Sequence, residues 1–128
     1  MVLFERAFKL SERGYEMFFI DDEHEETFYL LVSRKFKEND PEYEAAFYVL
    51  TADNELRKKG MPFITPDGID WEGIWNNDWS SGYRILLKLT ESLFKSSGSV
   101  ELAYGLGVWG EELYRVAMQA IGIRRKAL

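Results

Sequence analysis

The run from Trp71 to Phe94 constrains the fold of this chain most strongly. It reads WEGIWNNDWSSGYRILLKLTESLF, with three tryptophans four residues apart followed by apolar residues at helical spacing. After Ser80 the apolar positions recur at steps of three and four, which places them on one face of an α-helix. Two serines and Gly98 follow, and these residues favour turns over helix interiors. The pattern predicts a central helix over residues 80–95, on which two or three other helices can pack.

Three further helices are predicted from start signals and apolar stripes. Asp22, with Glu25 three residues later, forms a capping box for a helix over residues 23–37. An Asp-Pro pair opens a second helix over 41–52. The last helix, over 110–125, ends in basic residues that suit the negative end of the helix dipole. We expect these helices to supply the core, with the following residues buried: Leu31, Phe47, Leu86, Leu89, Val116 and Ile121.

The remaining segments carry weaker signals. Residues 61–73 contain a Pro-Asp-Gly turn and are predicted to form a surface loop. Apolar residues alternate over 99–109, which hints at a strand, although glycines interrupt it. For residues 1–14 a short helix and an extended arm are equally defensible. We therefore predict one all-α, mainly helical domain over residues 1–128, with four to five helices and possibly a minor β element.

The composition limits the kinds of partner and environment that suit the chain. Asp and Glu number 22 against 16 Lys and Arg, a net charge of −6, so nonspecific binding to nucleic acid is not expected. The chain has no cysteine, which excludes disulfides and thiolate chemistry and fits a reducing compartment. No apolar run approaches the length of a membrane span. These features predict a cytoplasmic protein without membrane association.

A glycine motif follows the alternating segment. Gly105, Gly107 and Gly110 have the G-x-G-x-x-G spacing that lets backbone amides approach a dinucleotide pyrophosphate at a helix N-terminus. Here Glu111 and Glu112 follow at once, and two carboxylates would repel phosphate from that helix end. We predict a structural glycine turn and no cofactor.

Acidic residues surround the single histidine, His24, in the segment 21–26. Imidazole and carboxylates are suitable metal ligands, but a helical site normally needs a second ligand one turn later, where this chain has Phe28. Acids at a helix start also stabilise the helix without any metal. The acids of the loop 67–72 lack the EF-hand pattern of a calcium site. We therefore predict no metal site.

The tryptophan series is the strongest candidate for a binding surface. Trp71, Trp75 and Trp79 would stack along one face, beside Asp70 and Asp78, and such aromatic surfaces anchor partners or ligands. The alternative is that these tryptophans fill the core. Trp75 is the one we expect to be partly exposed, because its glycine and asparagine neighbours disfavour regular helix.

A resemblance to a known family rests on four segments in this order: FFIDDEHEETFYLLV, DPEYEAAFYVLTADNELRKK, SSGYRILLKLTESLF and LYRVAMQAIGIRR. Together they cover about half of the chain. They resemble a family of small uncharacterised proteins from low-GC Gram-positive bacteria and their phages. The resemblance implies a compact helical protein, and it implies no activity, cofactor or catalytic residue.

Two classes of function follow. The first is a non-catalytic protein-binding or regulatory module that uses an acidic, aromatic surface against another protein. The second is a small enzyme or ligand-binding domain with a carboxylate- and tryptophan-lined pocket, in which Asp70, Asp78, His24 or Arg84 would be the polar groups. The enzyme reading lacks a nucleophile, since the chain has no cysteine and its one histidine has no evident serine partner. The binding module is the favoured prediction.

Overall fold

The computed structural model describes residues 17–125, and this part of the chain is mainly helical. It contains seven α-helices, more than the four to five predicted. A short 3-10 helix, Met61–Phe63, follows the third. The expectation for residues 1–14 lies outside the described residues. The helices are α1 (Asp22–Arg34), α2 (Pro41–Leu50), α3 (Asn54–Gly60), α4 (Trp71–Trp75), α5 (Ser81–Lys95), α6 (Leu102–Val108) and α7 (Glu111–Arg125).

The helix at the centre is α2 rather than the predicted central helix α5. Every residue from 44 to 50 is buried, and α2 packs against α1, α5 and α7. The sequence AAFYVL over residues 45–50 is apolar on every side, and a helix that is apolar all round is stable only when enclosed. Helix α5 buries one face only, while Arg84 and Lys88 lie on its exposed face.

Three aspartates cap the first three helices. Asp21 caps α1, where its Oδ1 accepts a hydrogen bond from the backbone N–H of His24 at 2.9 Å. The predicted cap, Asp22, is instead the first residue of that helix. Asp40 caps α2 as predicted, and Asp53 caps α3. Each carboxylate satisfies an N–H that has no partner within the helix.

The minor β element lies before α4 and not in the alternating segment 99–109. Two short antiparallel strands, Ile64–Thr65 and Gly68–Ile69, pair with Ile64 opposite Ile69. Pro66 and Asp67 form the turn between them, within the predicted turn. The alternation over 99–109 hinted at a strand, but the structure has helix α6 in this segment.

The predicted core is confirmed for Phe47, Leu86, Leu89 and Val116, which are buried. Leu31 and Ile121 are instead half-buried at the edge of the core. In α7 the buried face continues through Ala120 to Ile123, so Ile121 lies at the edge of that face. Within residues 17–125, no helix is both long and apolar enough to cross a membrane.

Candidate functional site

The tryptophan series does not form one exposed face. Trp71 and Trp79 are buried, and Trp75 is half-buried. The Trp71 ring lies 5.9 Å from that of Phe94, and the Nε1–H of Trp79 donates to the carbonyl of Ile74 at 2.9 Å. These two tryptophans therefore hold α4 and the following loop against the core, and they cannot present their rings to a partner.

Trp75 connects α4 to α5. Its Nε1–H donates to the Glu91 carboxylate at 3.0 Å, and the Lys88 Nζ lies 5.6 Å from its ring centre. Burial alone would raise the pKa of Glu91, but hydrogen bonds from Lys95 and Trp75 outweigh it, so the pKa is lowered. The Glu91 carboxylate is therefore anionic at neutral pH and accepts from both donors. The half-buried Trp75 ring thus has two charged neighbours, Glu91 and Lys88.

The two aspartates of the predicted surface are exposed, and each belongs to a local hydrogen-bonded structure. The side chain of Asp70 caps α4 by accepting from the N–H of Gly73 at 3.1 Å. The carbonyl oxygen of Asp78 accepts from the Nζ of Lys59 at 2.7 Å. Of the five residues predicted to form the surface, Asp70 and Asp78 are exposed and Trp75 is partly exposed.

His24 is fully buried and both ring nitrogens have partners. Nδ1 accepts from the N–H of Ile20 at 3.1 Å, so the proton lies on Nε2, which donates to the carbonyl of Tyr48 at 2.8 Å. Burial lowers the pKa of His24 to about 4, and the hydrogen bond to Tyr48 only partly opposes this shift. The neutral ring ties the start of α1 to the end of α2. Over residues 17–125, no group of three His, Asp or Glu side chains could hold a metal ion.

Polar groups near the predicted ligand pocket make hydrogen bonds within the fold. Arg84 is exposed, and it donates to the carbonyl of Trp79 at 3.4 Å. Tyr83 donates from its hydroxyl to Asp53 at 2.6 Å, and burial together with this hydrogen bond raises its pKa. Three open grooves formed by described residues are lined without any tryptophan. No observation places these groups around a common substrate.

The glycine motif lies mostly inside a helix. Gly105 and Gly107 belong to α6, so the predicted glycine turn is wrong for these two positions. A Cβ on Gly105 would lie 2.7 Å from the Trp109 ring and 3.0 Å from Ile85, whereas Gly107 and Gly110 face open space. The absence of a side chain at Gly105 thus lets α6 lie directly on the indole of Trp109, whose Nε1–H donates to the carbonyl of Gly82 at 3.0 Å.

Helix α6 carries an exposed apolar surface that was not among the residues predicted from the sequence to bind a partner. Gly105 is its only buried residue. Its four large apolar side chains are between 38% and 50% exposed, and we call them the α6 surface: Leu102, Tyr104, Leu106 and Val108.

The geometry of α6 follows from a rotation of about 100° per residue. Leu102 and Leu106 lie on one flank of the helix, and Tyr104 with Val108 lies on the other. Opposite the buried Gly105, along the outermost line, are the small residues Ala103 and Gly107. Two apolar rows therefore border a line where a partner can approach the backbone closely.

Acidic residues border the α6 surface at both ends. Glu101 precedes the helix, and Glu111 and Glu112 follow it, and all three are exposed. None of the three takes part in an ion pair between described residues. The run between Glu101 and Glu111 is uncharged in a chain with 30% charged residues, and this run was the available sequence signal for the surface.

Comparison with known proteins assigns no relative. No family model matches the chain, and no curated protein or solved structure matches it. The resemblance to small proteins of Gram-positive bacteria and their phages therefore stays a prediction, and the proposals for function rest on the chain itself.

Proposed function

We propose that the protein is a non-catalytic binding module that uses the α6 surface to bind another protein. The observation that carries the proposal is the exposure of four large apolar side chains on one short helix. Exposed apolar residues scattered singly are ordinary, but several of them together on one helix of a folded domain are typical of an interaction site. Leaving these side chains in water gives up the stabilisation that burial would provide.

The chemistry of the surface favours a protein over other partners. Tyr104 and the leucines supply the apolar contact area on which protein interfaces depend, and Ala103 with Gly107 leaves room for close approach. Glu101, Glu111 and Glu112 would repel phosphate groups of nucleic acids or anionic lipids. The expected partner presents an apolar face with basic residues at its border.

The tryptophan surface becomes secondary in this proposal. Trp71 and Trp79 are buried, so an acidic, aromatic surface at Trp75, Asp70 and Asp78 would have one half-buried ring at its centre. That ring already donates to Glu91. The α6 surface offers four apolar side chains without such an internal hydrogen bond to break.

The experiment compares two substitutions at matched leucines. Leu106 on the α6 surface is 50% exposed, and Leu30 on α1 is 51% exposed. Lysine keeps good helix propensity and its charge stays in solvent, so neither Leu106→Lys nor Leu30→Lys should disturb the fold. Each tagged variant and the parent protein are used to capture partners from an extract of the organism that encodes the chain.

We expect Leu106→Lys to lose a partner that the parent and Leu30→Lys both retain, with equal thermal stability in all three proteins. Purified partner and parent should then bind directly, and Leu106→Lys should reduce the affinity at least ~10-fold, as for loss of an interface hot spot. Retention of every partner by Leu106→Lys would contradict the proposal.

A further inference from the structure

Phe36 occupies an unusual backbone position directly after α1. Its φ angle is +55°, in the left-handed region, and its side chain is 87% exposed. The N–H of Phe36 donates a hydrogen bond to the carbonyl oxygen of Ser33 at 3.2 Å. The N–H of Lys37 donates one to the carbonyl oxygen of Val32 at 3.0 Å. These two hydrogen bonds are those of a Schellman motif, in which the left-handed position is usually glycine.

Among the described residues 17–125, the Phe36 side chain is left almost unpacked, since it is 87% exposed. Its Cβ strains the left-handed backbone, and its ring stays in water instead of packing. Glycine would close the same helix end without either penalty. Strained positions with exposed apolar side chains often carry function, and here the exposed ring points to an intermolecular contact.

Basic residues flank Phe36 in the sequence. Arg34, Lys35 and Lys37 flank Phe36, and the acids Glu38 and Asp40 follow them in the sequence. Lys37 also lies 4.0 Å from the centre of the Tyr43 ring, which fixes its direction. We call the set Arg34, Lys35, Phe36 and Lys37 the Phe36 corner.

The Phe36 corner and the α6 surface lie near opposite ends of α5. At the first end, Tyr43 follows the corner and its ring contacts that of Phe94 at 4.9 Å, near the C-terminus of α5. At the second end, Trp109 beside α6 bonds to Gly82, in the first turn of α5. Helix α5 has 15 residues, which corresponds to about 22 Å. A contact between the two sites is therefore an intermolecular one.

We propose that the Phe36 corner of one copy binds the α6 surface of a second copy, so that the protein self-associates head to tail. The inference rests on the proposed function, because it names the partner of the α6 surface. The two sites are complementary: one is an aromatic ring among basic residues, and the other is an apolar helix bordered by Glu101, Glu111 and Glu112. The Phe36 ring would lie along the line of Ala103 and Gly107, between the two apolar rows.

A head-to-tail contact has a distinctive consequence, because each copy contributes a different site. Phe36→Gly removes the ring but leaves the α6 surface intact, and it cannot disturb a position that glycine favours. Leu106→Lys removes the α6 surface but leaves the Phe36 corner intact. Each variant alone should be monomeric, whereas an equimolar mixture should pair once and stop at twice the monomer mass.

Sedimentation equilibrium tests this on the full chain at protein concentrations up to about 1 mM, which suits a small interface. The mass of the parent should rise with concentration, Leu30→Lys should behave as the parent does, and the mixture of the two variants should form the dimer. A monomeric parent, or a mixture that stays monomeric, would overturn the inference.

Two further outcomes separate this inference from the proposed function. If Phe36→Gly associates as the parent does while Leu106→Lys is monomeric, α6 binds something other than the corner, such as α6 of another copy. In that case the inference fails and the α6 surface keeps its role. If Leu106→Lys associates as the parent does, the α6 surface is not the contact between copies. The inference then fails, and self-association gives no support to the proposed function.

Discussion

His24 is a residue that could have bound a metal or taken part in catalysis, but both of its ring nitrogens are hydrogen-bonded within the fold. Its surroundings, a buried site with one backbone donor and one backbone acceptor, suit only the neutral ring. Nearby acids that looked like metal ligands in sequence are at the start of α1, where Asp21 serves as the cap. A group held neutral in this way makes stability depend on pH.

We predict that His24 destabilises the folded state as the pH falls. The pKa of His24 is about 4 in the folded protein and 6.5 in a model peptide. Below the unfolded value the unfolded chain takes up a proton that the folded chain does not. The free energy of unfolding should therefore fall by roughly 3 kcal/mol in total as the pH is lowered through the folded pKa.

Urea unfolding measured between about pH 7 and about pH 4 checks the prediction, with His24→Gln as the control. The variant should be less stable at neutral pH, because glutamine does not reproduce both hydrogen bonds. It should also lack the part of the pH dependence that comes from the histidine. Equal pH dependence in parent and variant would contradict the assignment.

A second prediction at this scale concerns the backbone of Phe36. Phe36→Gly relieves the left-handed strain of a non-glycine residue, although glycine is also more flexible in the unfolded chain. We expect a net gain of up to about 1 kcal/mol in the free energy of unfolding, measured by urea denaturation. Lys35→Gly, one residue earlier with an ordinary φ of −93°, is the control and should lose stability. A loss of stability in Phe36→Gly would mean that the ring stabilises the fold.

At the scale of elements, α6 is held by one close approach. Its buried residue, Gly105, lies against Trp109 and Ile85, while the remaining residues of the helix are exposed. The helix is therefore positioned by the absence of a side chain rather than by an apolar stripe of its own. This arrangement leaves its large apolar residues on the flanks, where a partner can reach them.

Two alanine substitutions in α6 should have opposite effects. Gly105→Ala would place a Cβ 2.7 Å from the Trp109 ring, and that ring is buried and hydrogen-bonded to Gly82, so it has little room to move. We expect a loss of about 1–3 kcal/mol, as for overpacking of a core. Gly107→Ala faces open space and should gain up to about 1 kcal/mol from better helix propensity.

Thermal or urea unfolding of the two variants gives the comparison directly. Both changes add the same methyl group to the same helix, so differences in helix propensity cancel between them. If Gly105→Ala is as stable as Gly107→Ala, α6 does not depend on the close approach to Trp109.

At the scale of the whole molecule, the long helices are arranged around α2, and the exposed side chains of the two sites proposed for binding lie outside this buried centre. Helix α2 is enclosed by α1, α5 and α7, while the Phe36 corner precedes it and α6 lies on α5. The buried centre supplies the stability of the fold, and the exposed apolar residues at the two ends of α5 contribute little to it. Substitutions at Phe36 or Leu106 are therefore expected to change association without unfolding the domain.

Local features of the sequence determined the four long helices. Helix α5 follows from the spacing of its apolar residues, and α2 from the Asp-Pro start. Caps, dipole charges and apolar spacing act within a few residues of one another, so they can be read without knowledge of the rest of the fold. The mainly helical class and most of the core followed from these signals.

Only the tertiary structure decided which surfaces stay exposed. The spacing of Trp71 and Trp75 shows that they share a helix face, but not that Phe94 and the core cover the first of them. The alternation of apolar residues in 99–109 hinted at a strand, whereas α6 exposes these residues on both of its flanks. Exposure depends on elements that are distant in sequence, and the pattern within a segment does not identify which of them pack against it.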